Sequence, residues 1–225
     1  MIAAIVFDFD GVLADSEPLH FRALQEVLAL RGATLSIDEY SSRYLGYNDV
    51  DTFRVLSDDR RWSLSEAEVE ALVDRKTRVL EGLVAGNDVL YRGAATCVER
   101  LAAGYPLGIA SGAHPHEIEA ILARYDLRRH FRFIVGSGDT PNSKPAPDPY
   151  RRAAELHGFP PDACLAVEDS IWGIESAHAA GLRCIGITHT YPRSALKGAD
   201  VIVDSLDELT VTLIAGITAK QRSDR

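Results

Sequence analysis

Short apolar runs punctuate the chain, and each gives way to acids, serine, glycine or a turn. The first covers residues 2–9, and comparable runs recur at 107–111, 133–135, 164–167, 184–187 and 201–203. Continuous rather than alternating apolar positions predict strands buried on both faces, as in a parallel sheet. Residues 115–125, 149–157, 173–180 and 206–214 read as helices between them, with Asp148-Pro149 as a start signal and Gly158 or Gly181 as stop signals. Strands alternating with helices predict βαβ units, hence an α/β fold with a doubly wound parallel sheet.

One segment departs from that alternation. Between residues 16 and 85 no run resembles a buried strand, whereas Leu19, Ala23, Val27 and Leu30 fall at helical spacing, as do Val69, Leu72, Val73, Lys76 and Leu80. Ser16 or Asp15 is placed to cap the first helix, with Pro18 in its first turn. Gly46 and the polar stretch 57–61 are expected to separate helices. The segment therefore predicts a helical cap over residues 16–85, inserted after the first strand, with 85–87 as the return hinge. A core domain of residues 1–15 and 86–225 remains. The tail from Gln221 is expected to fray.

Composition leaves this picture intact and narrows the partners. The 225 residues are 46% hydrophobic and 25% charged, ordinary globular proportions. A net charge of −9 argues against a nucleic-acid groove, although it permits a local positive pocket. No apolar run approaches the roughly 20 residues of a membrane span, and the opening lacks a basic leader, so neither a membrane anchor nor a signal peptide is expected. Cys97, Cys164 and Cys184 are odd in number and widely spaced. They read as reduced thiols of a cytoplasmic protein rather than a disulfide framework or a zinc site.

The chemistry lies where the strands end, because doubly wound sheets bind ligands beyond their carboxyl edge. Strand one delivers Asp8 and Asp10, the run at 107–111 delivers Ser111-Gly112, a later loop delivers Lys144, and the run at 164–167 delivers Glu168 and Asp169. Four carboxylates at one edge repel one another and raise each other's pKa. An oxygen-only ligand set without His or Cys selects a hard cation, Mg2+ being the natural one. With that ion and Lys144 neutralising phosphoryl oxygens, a carboxylate can attack phosphorus. Ser111 and the amides around Gly112 are suited to the remaining oxygens, and Asp10 to proton transfer with the leaving oxygen and then water.

These residues carry a resemblance. Asp8-Phe9-Asp10-Gly11-Val12-Leu13, Ser111, Lys144-Pro145-Ala146-Pro147-Asp148 and Glu168-Asp169-Ser170 resemble the four motifs of the haloacid dehalogenase (HAD) superfamily. More narrowly, they are similar to its phosphatase and β-phosphoglucomutase-like branch, which has a Rossmann-like core and a helical cap after motif one. The resemblance implies Asp8 as nucleophile forming an aspartyl-phosphate, and Asp10 as general acid/base. It implies Mg2+ held by the Asp8 carboxylate, the Asp10 carbonyl and Asp169, with Glu168 binding directly or from behind another ligand. Ser111 and Lys144 would bind the transferring phosphoryl group. Dehalogenation at carbon needs neither the second acid nor the metal set, so phosphoryl transfer is expected.

Mutases of this branch hold a second phosphate with a cap arginine shortly after a glycine like Gly46. Here Leu45-Gly46-Tyr47-Asn48-Asp49 offers an acid, expected to repel such a phosphate, with Arg43 and Arg54 to either side. His20 and Lys76 nonetheless look like mutase cap positions and join Gly46 as candidate substrate contacts, and Tyr44 and Tyr47 are candidates for stacking on a sugar. Trp172 is expected to pack in the core or wall the site, and His114 and His116 to lie in a surface or substrate loop. The expectation is a monomeric phosphatase of small phosphorylated metabolites, with a hexose-phosphate mutase as the alternative. A receiver-type domain that accepts phosphate without turnover is the alternative from another class; the helical insert and Asp10 are parts such a domain does not need.

Overall fold

A computed structural model of the chain describes residues 1–45 and 47–217. The chain divides into two compact units, Met1–Asp15 with the residues from Val89 onward, and Ser16–Asp88.

The larger unit holds six strands: β1 (Ala4–Phe7), β2 (Leu107–Ala110), β3 (Phe131–Val135), β4 (Cys164–Glu168), β5 (Arg183–Ile187) and β6 (Val201–Val203). All neighbouring pairs are parallel, in the order β3-β2-β1-β4-β5-β6. The chain thus winds outward from β1 in both directions, and the strand order reverses beside it, where such sheets open a crevice at their carboxyl edge. Every residue of β1, β2 and β4 is buried, the physical reason their sequences read as unbroken apolar runs.

The smaller unit is made of α1 (Glu17–Ala29), α2 (Ile37–Arg43), α3 (Asp49–Arg60) and α4 (Glu66–Gly86). Leu24, Val27, Leu28, Phe53, Leu56 and Val69 form a core of its own. Ala23 and Val27 lie on the buried face of α1, but Leu30 falls just beyond the helix and is exposed. Residues 57–61 do not separate two helices. They are the last turn of α3, closed by Arg61 in the left-handed region at φ 55°, while the Ser57 hydroxyl turns back to accept from the Leu64 N–H at 3.0 Å. Helix α4 runs through Gly86, so the return connection starts at Asn87 rather than at residue 85.

The remaining helices, α5 (Ala94–Ala102), α6 (Pro115–Arg124), α7 (Asp148–His157), α8 (Ile171–Ala179) and α9 (Val211–Gly216), belong to the sheet unit. Sequence patterning passes over α5, whose start is Gly93 rather than a side-chain cap. The helix expected at 206–214 is split into a single 3-10 turn and α9, because Ser205 and Thr210 each cap a separate start. The expected tail lies outside the described residues. Among the described residues, no helix is long and apolar enough to cross a membrane.

Helix α4 begins with a reciprocal cap: the Ser65 hydroxyl accepts from the Glu68 N–H at 3.4 Å, and Glu68 accepts from the Ser65 N–H at 2.9 Å. Ser65→Ala is expected to lower the stability of the helical unit by about 1 kcal/mol. Urea unfolding followed by circular dichroism measures this, and an unchanged midpoint would show that the cap contributes nothing.

Candidate active site

Strand register assembles the site. In β1, Ala4 and Val6 face the same core cluster as Cys164 and Ala166 of β4, together with Tyr150 of α7. Phe7 pairs with Val167, and the Asp8 N–H donates to the Val167 carbonyl at 2.9 Å. Alternation along the strands then carries Asp8 and Glu168 onto that same face, side by side. Lys144, ahead of α7, bridges them with its Nζ 2.9 Å from Asp8 Oδ1 and 2.6 Å from Glu168 Oε1. The Tyr150 hydroxyl donates to the same Glu168 oxygen at 2.7 Å, and the Lys144 ammonium sits 4.9 Å from the Tyr150 ring centre.

Glu168 has no solvent exposure. Its second oxygen accepts from the N–H groups of Asp169 and Ser170 and from the Ser170 hydroxyl, at 3.1–3.4 Å. Ser170 also caps α8, accepting from the Gly173 N–H at 3.0 Å. A Cβ on Gly173 would lie 1.9 Å from the Glu168 carboxylate, so that turn of helix admits only glycine without displacing the acid.

Charge is unbalanced here. Carboxylate oxygens of Asp8, Glu168 and Asp169 lie within 4.8 Å of one another, all in buried residues, around a single ammonium. Burial pushes the Asp8 carboxyl up to about 6; the Lys144 charge opposes that rise and Glu168 adds to it. Asp169 is held well above the ordinary carboxylate range, first by burial and then by Asp8 and Glu168, with a hydrogen bond from Thr190 working against them. Burial disfavours the Lys144 ammonium, but Asp8 and Glu168 outweigh it and hold its pKa above that of a free lysine. Three hard oxygen donors carrying excess negative charge fit a small divalent cation.

Asp10 lies half-buried in the turn after β1, where Leu13 and Ala14 donate to the Phe9 carbonyl at 2.9 and 3.0 Å. Ser111, buried, follows β2 directly, and its hydroxyl oxygen accepts from the Ala113 N–H at 3.1 Å, leaving the hydroxyl proton to donate elsewhere. Gly112 beside it is exposed.

His20 and Lys76 belong to the helical unit, where they meet each other. Lys76 is 3% exposed rather than solvated, its Nζ 2.9 Å from His20 Nδ1 and ion-paired with Asp49. Burial and the neighbouring ammonium hold the His20 pKa well down, so Nδ1 accepts from the lysine. Asp49 is thus a lysine partner and not a lone anion. Arg43 is paired with Asp59, and Arg54 lies 2.6 Å from Glu66.

Tyr44 is not available to a sugar: it is buried in the helical core with its hydroxyl donating to Asp59 at 2.7 Å, whereas Tyr47 is exposed. Gly46 lies outside the described residues. Trp172 is 44% exposed, edge-on to Tyr191, and is no core residue. His114 begins α6, with its ring stacked on that of His116. Sequence reasoning missed Tyr150, which carries no signal separating it from an ordinary core tyrosine. It missed His189 and Thr190 as well, although the rule of reading beyond each strand applies equally to β5.

A doubly wound sheet with a buried lysine–carboxylate cluster at its carboxyl edge defines the class, an α/β enzyme working beyond the ends of its strands. Residues 2–181 match the haloacid dehalogenase-like hydrolase family, and the chain belongs to that family, in its phosphatase and β-phosphoglucomutase-like branch. Hexitol phosphatase B of Escherichia coli (strain K12) is 32% identical over 221 residues, covering 96% of this chain and 97% of the relative. Fructose-1-phosphate phosphatase YqaB of the same organism is 28% identical over 185 residues, covering 82% and 96%. The crystal structure of CbbY from Rhodobacter sphaeroides in complex with phosphate superposes with a TM-score of 0.79 at 30% identity, covering 93% of this chain and 96% of that one.

Asp169 keeps its proton to higher pH when folded than when unfolded. Between the ordinary value of 3.8 and the raised folded one, the folded state therefore binds more protons, and this group costs stability as pH rises. In chelator, Asp169→Asn is expected to gain stability relative to wild type between about pH 5 and about pH 7.5. Denaturant midpoints at the two pH values measure this, and an advantage that does not grow with pH would contradict it.

Proposed function

We propose that this protein is a Mg2+-dependent phosphatase of small phosphomonoesters, sugar or related metabolite phosphates, acting through an aspartyl-phosphate on Asp8. The observation that carries the reading is the Asp8–Lys144–Glu168 arrangement, a buried carboxylate with an ammonium 2.9 Å from it that a second buried carboxylate holds in place. The relatives named as sugar and hexitol phosphatases support the substrate class.

Asp8, Asp169 and the Asp10 carbonyl would hold the ion, with Glu168 behind them, its oxygens already engaged by Lys144, Tyr150 and Ser170. When bound, the ion offsets the negative charge that otherwise keeps an anionic nucleophile from an anionic ester. Asp8 attacks phosphorus while Lys144 and the Ser111 hydroxyl, with the amide beside Gly112, bind the non-bridging oxygens. Asp10, protonated, gives its proton to the leaving alcohol oxygen, and as a carboxylate it then takes one from the water that cleaves the acyl-phosphate, releasing inorganic phosphate and regenerating Asp8.

In the helical unit, Asp49 already neutralises Lys76. That pairing favours a substrate with one phosphate, and hydrolysis over retention of a bisphosphate as a mutase requires. His20 and Lys76 present hydrogen-bonding groups suited to sugar hydroxyls, and Gly46 joins them by its place in the sequence.

Asp8→Asn is expected to abolish phosphate release from a panel of hexose, pentose, hexitol and glycolate phosphates, and Asp10→Asn to lower kcat by about 10²–10⁴-fold. Conversion of β-glucose 1-phosphate to glucose 6-phosphate with little free phosphate would replace the phosphatase by a mutase. Labelling without turnover would replace it by a phospho-acceptor.

A further inference from the structure

Beyond strand β5 the chain continues into Thr188 and His189, and the His189 imidazole contacts the turn that carries Asp10. That turn is closed largely by its own backbone. Val12, Leu13 and Ala14 donate to the Phe9 carbonyl at 3.3, 2.9 and 3.0 Å, and the Gly11 N–H donates to the Ala14 carbonyl at 2.8 Å. The Leu13 carbonyl accepts from the Tyr91 N–H at 3.0 Å, and the Val89 carbonyl from the Asp15 N–H at 2.7 Å. The chain leaving the sheet unit at Asp15 is thus bonded to the chain re-entering it at Val89.

The Gly11 carbonyl takes its partner from outside the turn. His189 Nδ1 lies 3.1 Å from it, and because a carbonyl only accepts, Nδ1 carries the proton. The imidazole is stacked on the Tyr91 ring, with centres 3.9 Å apart and planes 23° from parallel. Gly11 itself sits at φ +77°, and a Cβ there would lie 2.0 Å from Asp169 Oδ2, so only glycine lets the turn rest against that carboxylate. The same residue is the one whose backbone rotates most freely, and it adjoins Asp10.

We propose that His189 is a positioning residue for Asp10: by donating from Nδ1 to the Gly11 carbonyl it locks the glycine joint of the turn, while Tyr91 holds the imidazole at the angle this bond requires. The inference goes beyond the proposed reaction but rests on its assignment of Asp10 as acid/base. Asp10 has to meet first a leaving oxygen and then a water, and a displacement of about 1 Å in such a group can cost about 10²-fold in rate. His189 and Tyr91 are only half-buried, so the contact can be removed without emptying the core.

The test uses the full chain with Mg2+ and p-nitrophenyl phosphate. His189→Phe keeps a ring to stack on Tyr91 and removes the donor, whereas His189→Asn loses the ring and keeps an N–H near the place of Nδ1. His189→Phe is expected to lower kcat by about 10–100-fold with KM unchanged, and His189→Asn to restore most of that loss. On an Asp10→Asn background, His189→Phe is expected to add no further loss, since the group it positions is gone. Amide exchange across residues 10–14 is expected to be faster in His189→Phe than in wild type or His189→Asn. Wild-type kcat or unchanged exchange in His189→Phe overturns the proposal, as does a full further loss on the Asp10→Asn background. The reverse order, with His189→Asn slow and His189→Phe active, overturns it by showing that the ring only packs. Wild-type kcat in Asp10→Asn overturns the acid/base reading itself, and this inference with it.

Discussion

Lys144 bridges two carboxylates that water scarcely reaches, and much of the sheet's carboxyl edge serves to make that bridge tolerable. An isolated ammonium or carboxylate is costly to bury, and a buried pair holds only when its remaining hydrogen-bonding capacity is met. Here Tyr150 supplies a hydroxyl and a ring face, and Ser170 with two backbone N–H groups occupies the far side of Glu168. The bridge still leaves three buried carboxylates around one lysine; burial first, then the neighbouring carboxylates, hold the Asp8 and Asp169 carboxyls above their ordinary range. A site in this state favours positive charge from outside, which a divalent cation would supply.

The two acids at the end of β4 consequently have different surroundings. Both Glu168 oxygens already accept from internal donors, Lys144 and Tyr150 on one and Ser170 with two backbone N–H groups on the other. Asp169 lies beside it with a carboxylate oxygen within 4.8 Å of those of Asp8 and Glu168, and burial holds its pKa well above the ordinary carboxylate range. Adjacent carboxylates with such different surroundings cannot be exchanged for one another, because successive side chains leave the chain in different directions.

The helical unit solves a similar problem on a smaller scale. Lys76 lies among the residues of α4 that face inward, paired with Asp49 and hydrogen-bonded to His20. An acid in that place offsets the charge of the buried lysine.

Much of the sheet was legible from the chain, because strands buried on both faces must be apolar throughout and their ends must turn polar. Asp8, Asp10, Ser111, Glu168 and Asp169 could be named on that rule, Lys144 from a loop between runs, and the inserted helices from their 3.6-residue spacing. The polar turn at 57–61 misled because local polarity does not reveal a buried Ser57, and Tyr44 misled because nothing local separates a core tyrosine from a ligand-stacking one. By itself the sequence determined which residue types stand where strands end. Only the tertiary structure decided which of them meet, since Lys144 and Glu168, 24 residues apart, are joined by strand register and by the packing of α7 under the sheet. The strength of a charge pair depends on how much water that packing excludes, and this is a property of the assembled fold rather than of any segment.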